Sequence, residues 1–121
     1  MIRVDIETNE PLLDMMAEVT PSGGGRIFYN GLPFTGIIYG YHPGTQILDF
    51  EWEVFDGYEE GRKVEYYLNG NKRVEYYVRN GGIYKFSKKW DEQGVLTYHV
   101  DYDEEGNKLR IVKHPNPALE E

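Results

Sequence analysis

The side chains best placed to do chemistry in this sequence are three carboxylates. Asp49, Glu51 and Glu53 alternate with apolar residues in the stretch Leu48-Asp49-Phe50-Glu51-Trp52-Glu53-Val54. Alternate residues of an extended strand point to one side, about 7 Å apart. Glycoside hydrolysis uses paired carboxylates at comparable separations. It also needs a pocket that raises one pKa and keeps water out, and a flat strand face supplies none. The acid row therefore reads as a solvated polar face or as an acidic strip for a basic partner.

The other reactive groups are scattered. His42, His99 and His114 lie in different segments without the close ligand spacing a zinc site needs. Ser22 and Ser87 are the only serines, neither sits in a nucleophile elbow, and cysteine is absent. Gly23-Gly24-Gly25 is not followed by the Lys-Ser/Thr of a phosphate loop. No catalytic residue, no metal and no cofactor is expected, and the chain is not expected to be an enzyme.

The elements that must hold the acids are strands. Ile2, Val4 and Ile6 alternate with Arg3, Asp5 and Glu7, the pattern of a short first strand. Leu12, Met15, Met16 and Val19 follow Pro11 at helical spacing, so residues 1–25 are expected to form a leader of one strand plus a short helix or irregular cover. From residue 26 on, tyrosine-rich strands alternate with turns. Asn30-Gly31 is a strong hairpin signal. The turn around Thr45 and the turn glycines Gly70 and Gly94 follow one another at nearly equal intervals, so one hairpin unit is copied along the chain. Pro115 and Pro117 end the pattern, leaving residues 113–121 as a tail. The expected fold is all-β: tandem antiparallel β-hairpin repeats over residues 26–112 in an extended, open, twisted meander sheet.

Burial of one face predicts the register of the central hairpin. A three-residue loop, Asn69-Gly70-Asn71, would put Tyr66 opposite Val74 and gather the apolar residues on one side. Tyr66, Tyr76, Tyr84, Tyr98, Trp52 and Trp90 would then fill that apolar face. Lys63, Glu65, Tyr67, Arg73, Glu75 and Tyr77 would share the other, with Tyr67 and Tyr77 as exposed aromatic anchors.

Composition narrows the partners. With 121 residues the chain is the size of a single domain. A net charge of −8 opposes binding to nucleic acid or to an anionic membrane, and it favours a partner with a basic surface. The missing cysteine fits a reducing cytoplasm, and residues 1–20 lack the pattern of a signal peptide. Open sheet edges lined with charges predict a monomer or a weak homodimer.

One stretch resembles a known family. Asn30-Gly31-Leu32-Pro33-Phe34-Thr35-Gly36-Ile37-Ile38-Tyr39 is similar to the opening motif of the YwqK-like antitoxin family. The segments from Gly61 to Gly70 and from Lys88 to Gly94 resemble its repeats, a variant of the MORN type. Gly44-Thr45 departs from the Asn-Gly usual at that turn. The resemblance covers roughly residues 26–110. It implies a bacterial antitoxin or immunity protein that binds a secreted polymorphic toxin, often a nuclease or deaminase, and it brings no catalytic residues. On that reading Asp49, Glu51, Glu53, Tyr67, Glu75 and Tyr77 would meet the basic active-site cleft of the toxin. A MORN-like scaffold for protein or membrane contacts and a carbohydrate-binding module with aromatic platforms are the competing expectations.

Overall fold

The computed structural model describes residues 2–8, 12–19, 25–79 and 81–112. Pro11, residues 20–24 and the expected tail 113–121 lie outside them. The strands are β1 (Arg3–Asp5), β2 (Leu13–Val19), β3 (Gly25–Tyr29), β4 (Leu32–Pro33), β5 (Gly36–Tyr41), β6 (Leu48–Phe55), β7 (Tyr58–Tyr66), β8 (Lys72–Arg79), β9 (Gly82–Trp90), β10 (Leu96–Tyr102) and β11 (Lys108–Val112). Eight of them make one open sheet in the order β1-β5-β6-β7-β8-β9-β10-β11, and β2-β3-β4 make a small second sheet. Every pairing in the large sheet is antiparallel except β1 with β5. The fold is thus all-β, and its main sheet is a meander of tandem hairpins. The helical alternative for the leader is not what forms: Leu13–Val19 is a strand, because its register with β3 offers backbone partners that a lone turn of helix would lack.

Three hairpin turns share one construction. Tyr67, Asp91 and Asp103 each accept at their carbonyl from the amide of Gly70, Gly94 and Gly106, and donate from their own amide to the carbonyl of Asn71, Val95 and Asn107. These are three-residue loops ending on a glycine in the left-handed region, with φ of 88°, 86° and 86°. The demand for glycine at the last loop position corrects the expected register. The central loop is Leu68-Asn69-Gly70, one residue earlier than Asn69-Gly70-Asn71. That loop pairs Tyr66 with Lys72, and a further one-residue shift between Glu65 and Tyr66 then pairs Glu65 with Val74 and Val64 with Glu75. Similar single-residue shifts occur beside the turns joining β5 to β6, β9 to β10 and β10 to β11.

The register defines two faces. One, the front, carries the row Tyr39, Glu51, Val64, Glu75, Lys88 and His99, each opposite the next. The back carries Val4, Ile38, Trp52, Lys63, Tyr76, Ser87 and Val100 in the same way. The aromatics are therefore divided. Trp52, Tyr76 and Tyr98 lie on the back, and Tyr66, Tyr84 and Trp90 on the front, so the expected single apolar face does not exist. A one-residue slip sends every side chain beyond it to the other side, and the shift between Glu65 and Tyr66 is such a slip: it puts Val64 on the front and Tyr76 on the back.

The core sits where the small sheet covers the back of β1, β5 and β6. Val4, Leu13, Ile27, Phe34, Ile38 and Val54 are buried there, with Phe50 and Tyr29 packed against them. The turn Asp56-Gly57 holds the small sheet in place. The Ile27 amide donates to the Gly57 carbonyl and the Gly57 amide to the Phe34 carbonyl, both at 2.7 Å. Arg26 adds an ion pair to Asp56 at 3.0 Å.

Lys85 is an irregularity with a sequence explanation. It stands one repeat after Gly61, and both sit beside a register shift with φ of 70° and 108°. The repeat thus asks for a glycine and receives a lysine. Left-handed backbone costs an ordinary residue about 1–2 kcal/mol, while the contact of Lys85 Nζ with the Tyr77 ring, 4.5 Å from its centroid, returns part of that. Lys85→Gly should raise the unfolding free energy by about 0.5–1 kcal/mol in urea denaturation. A lower free energy would show that the ring contact outweighs the strain.

Candidate functional site

The front face around β6 and β7 gathers most of the acids that the sequence singled out, but it gathers cations with them. Glu51 takes a 2.7 Å ion pair from Arg3 and a 2.6 Å hydrogen bond from the Tyr66 hydroxyl. Glu75 is 8% exposed and is held by Arg62 Nε at 2.5 Å and by Lys72 Nζ at 3.2 Å. A glutamate so deeply buried persists as a charge only because both oxygens are engaged. The expectation of Glu75 as an exposed contact is corrected by this burial.

The titration behaviour follows from the same contacts. Burial pushes the Glu51 carboxyl up, but hydrogen bonds from Tyr66 and Arg3 and the Arg3 charge outweigh it and hold the group below its ordinary value. Burial likewise opposes ionisation of Glu75, and Arg62 and Lys72 overcome it. Tyr66 is pushed up to about 12 by burial first, then by its hydrogen bond to Glu51 and that carboxylate's charge. Tyr66 therefore stays protonated as a donor, and Arg62 also reaches its hydroxyl. Arg3, Glu51, Tyr66, Arg62, Glu75 and Lys72 form one chain of charge-assisted contacts across the front.

Glu53 differs. One of its oxygens accepts from the Arg62 backbone amide at 2.7 Å, and among the described residues no cation pairs with it. With Ile37, Glu51 and Arg62 it lines a shallow cavity of about 170 Å³. Asp49 leaves the row altogether. It falls at the register shift between β5 and β6, opposite no single residue, and faces His42 Nδ1 at 3.7 Å. The three acids thus do not act as one strip: Glu51 is neutralised by Arg3, Asp49 sits at the register shift beside His42, and Glu53 keeps an unopposed charge.

The two tyrosines named from sequence are both half-buried. Tyr67 donates its hydroxyl to the Trp90 carbonyl at 2.8 Å, tying two neighbouring turns together. Tyr77 packs edge-on against Tyr84 and Phe86, with centroids 6.1 and 5.2 Å away. Arg79, Lys85 and Lys88 lie over the rings of Tyr84, Tyr77 and Phe86. Neither this cation–aromatic cluster nor the pairing of Arg3, Arg62 and Lys72 with the acids is legible in the local sequence pattern. The signal that could have found the latter is the repeat itself, since Glu51 and Glu75 occupy equivalent places in successive copies.

Among the described residues no group of three His, Cys, Asp or Glu side chains could hold a metal ion, and no helix is long and apolar enough to cross a membrane. No protein-family model matches the chain, and neither a curated protein nor a solved structure matches it.

Proposed function

We propose that this chain works by occupying a protein partner, as a bacterial immunity protein that binds and blocks a cognate toxin. The antitoxin resemblance of residues 30–39 supplies that role, together with the cytoplasm of the producing cell as its place. The structural observation that supports it is Glu53, a carboxylate without a cation among the described residues, beside an open cavity on an uncovered sheet face. Its hydrogen bond from the backbone fixes the charge in position, so little side-chain freedom is lost when a cationic group docks. The net charge of −8 adds long-range attraction for the basic cleft of a nuclease or deaminase.

This reading expects a toxin gene beside this one, and its test is direct binding to the toxic C-terminal domain of that product. The double variant Asp49→Asn/Glu53→Gln keeps both hydrogen-bond acceptors and removes two charges. It should weaken that complex at least about tenfold, mostly by slower association at low salt. Unchanged affinity would remove these acids from the interface. Absence of any complex with the wild-type chain would overturn the immunity reading itself.

A further inference from the structure

The charges left over on the front face are arranged as a self-complementary pair of patches. Among the described residues of β6 to β9, most front-face charges are consumed internally: Glu51 by Arg3, Glu75 by Arg62 and Lys72, and Arg79 by Glu104. What remains there without an opposite partner is two anions, Glu53 on β6 and Glu60 on β7, and two cations on β9, Lys85 and Lys88.

The register aligns these leftovers. Glu51, Val64, Glu75 and Lys88 are successive cross-strand partners, so Lys88 is level with Glu51 and one pleat away from Glu53. β6 and β9 are also equidistant from the boundary between β7 and β8. A two-fold axis along that boundary, parallel to the strands, lays β6 of one copy over β9 of the other. It brings Glu53 of each copy to Lys88 and Lys85 of its mate, twice. The surface between them is aromatic, with Tyr66, Tyr77, Phe86 and Trp90 half-exposed on a sheet that, among the described residues, has no second layer on this side. Sheet domains close such a face by stacking another sheet about 10 Å away.

We propose that the front face is a homodimer interface, two copies stacked sheet on sheet about this axis, with Glu53 meeting Lys88 and Lys85 across it. Four strands at about 4.8 Å spacing and about 20 Å length give a footprint near 400 Å² per copy in projection. The total of about 800 Å² lies below the roughly 1,200 Å² at which stable specific interfaces begin, so the dimer is a weak, transient one, with a Kd on the order of 100 µM. The contact covers Glu53 and therefore excludes the toxin proposed above. Its test uses this chain alone, so the two readings stand or fall separately.

Sedimentation equilibrium from low to high micromolar concentration should show reversible dimerisation of the wild-type chain. Glu53→Lys and Lys88→Glu should each raise the dimer Kd at least about tenfold, because each homodimer then places like charges together twice. An equimolar mixture of the two variants should dimerise again, since both contacts become opposite-charge pairs in the heterodimer. Glu53→Gln, which keeps the acceptor for the Arg62 amide, should give an intermediate loss in a fully folded protein. A wild-type chain that stays monomeric throughout, or charge reversals that leave the Kd unchanged, would overturn the proposal. So would folded variants whose mixture fails to restore the dimer.

Discussion

Gly57→Ala should cost about 3 kcal/mol of unfolding free energy, and Gly81→Ala only about 1 kcal/mol. The two glycines occupy equivalent turns in successive copies of the repeat, with φ of 85° and 78°. Each replacement forces an alanine into the left-handed region, at about 1 kcal/mol. The surroundings make the difference. A Cβ on Gly81 meets nothing within 4 Å. A Cβ on Gly57 would stand 2.8 Å from the Ile27 carbonyl oxygen and 2.6 Å from Arg26 Cγ. Arg26 can swing aside, but the Ile27 carbonyl is backbone and already accepts from the Phe34 amide at 3.0 Å. Relief requires β3 to back away from the turn, which loosens the two bonds between Gly57 and the small sheet and opens the core around Ile27. That loss is worth about 2 kcal/mol more. Urea denaturation of both variants checks it. Equal costs would mean that the small sheet is not seated through Gly57.

The contrast between these glycines also shows what could be read from sequence. The hairpin cadence, the alternation in β6 and the turn at Asn30-Gly31 are local, and the structure has them where they were expected. The register was not readable from burial alone. A single apolar face requires a sheet with a wet side and a dry side. This sheet is instead half-buried on both sides, so apolarity could not choose between registers, and the one-residue shift between Glu65 and Tyr66, which no sequence pattern marks, decided the faces. The first strand formed where its alternation placed it, and the helical option for the rest of the leader failed for a related reason. Leu12, Met15, Met16 and Val19 carry a helical spacing, but the partner strand that makes Leu13–Val19 extended lies at residues 25–29, beyond the Gly-rich break.

Site residues were legible to the extent that they depended on strand alternation. Glu51 and Glu53 fall on one face as their spacing required. Asp49 does not stay with them because a register shift, invisible in the pattern, intervenes. Which carboxylates remain available to a partner depended on cations brought from β1, β7 and β8. Net charge records their sum and not their pairing. A surplus of acid was therefore readable, and the unopposed Glu53 was not.

The pairing at Glu75 is where charge and stability meet most sharply. Arg62→Leu should destabilise the chain by about 3 kcal/mol at pH 7, because it leaves a carboxylate that is 8% exposed with Lys72 as its one remaining ion-pair contact among the described residues. Glu75→Leu should cost less, about 1 kcal/mol, since the Arg62 side chain is 32% exposed and its guanidinium can turn to water. The double variant should recover to within about 1 kcal/mol of wild type, giving a coupling of roughly 2–3 kcal/mol in the cycle. The pH dependence separates charge from packing. In the wild type, Glu51 and Glu75 are held below the ordinary carboxyl value of 4.5. The stability they confer is present above that value and is lost as pH falls through their lower folded values. In Arg62→Leu the Glu75 carboxyl loses its main cation while its burial remains, so protonation relieves the folded state instead of weakening it. The penalty of that variant relative to wild type should shrink steadily between pH 7 and pH 4. Thermal or urea unfolding across that range reads it directly. A penalty that stays constant would assign the loss to the missing arginine stem, and would mean that Glu75 is not the charge around which the front face is built.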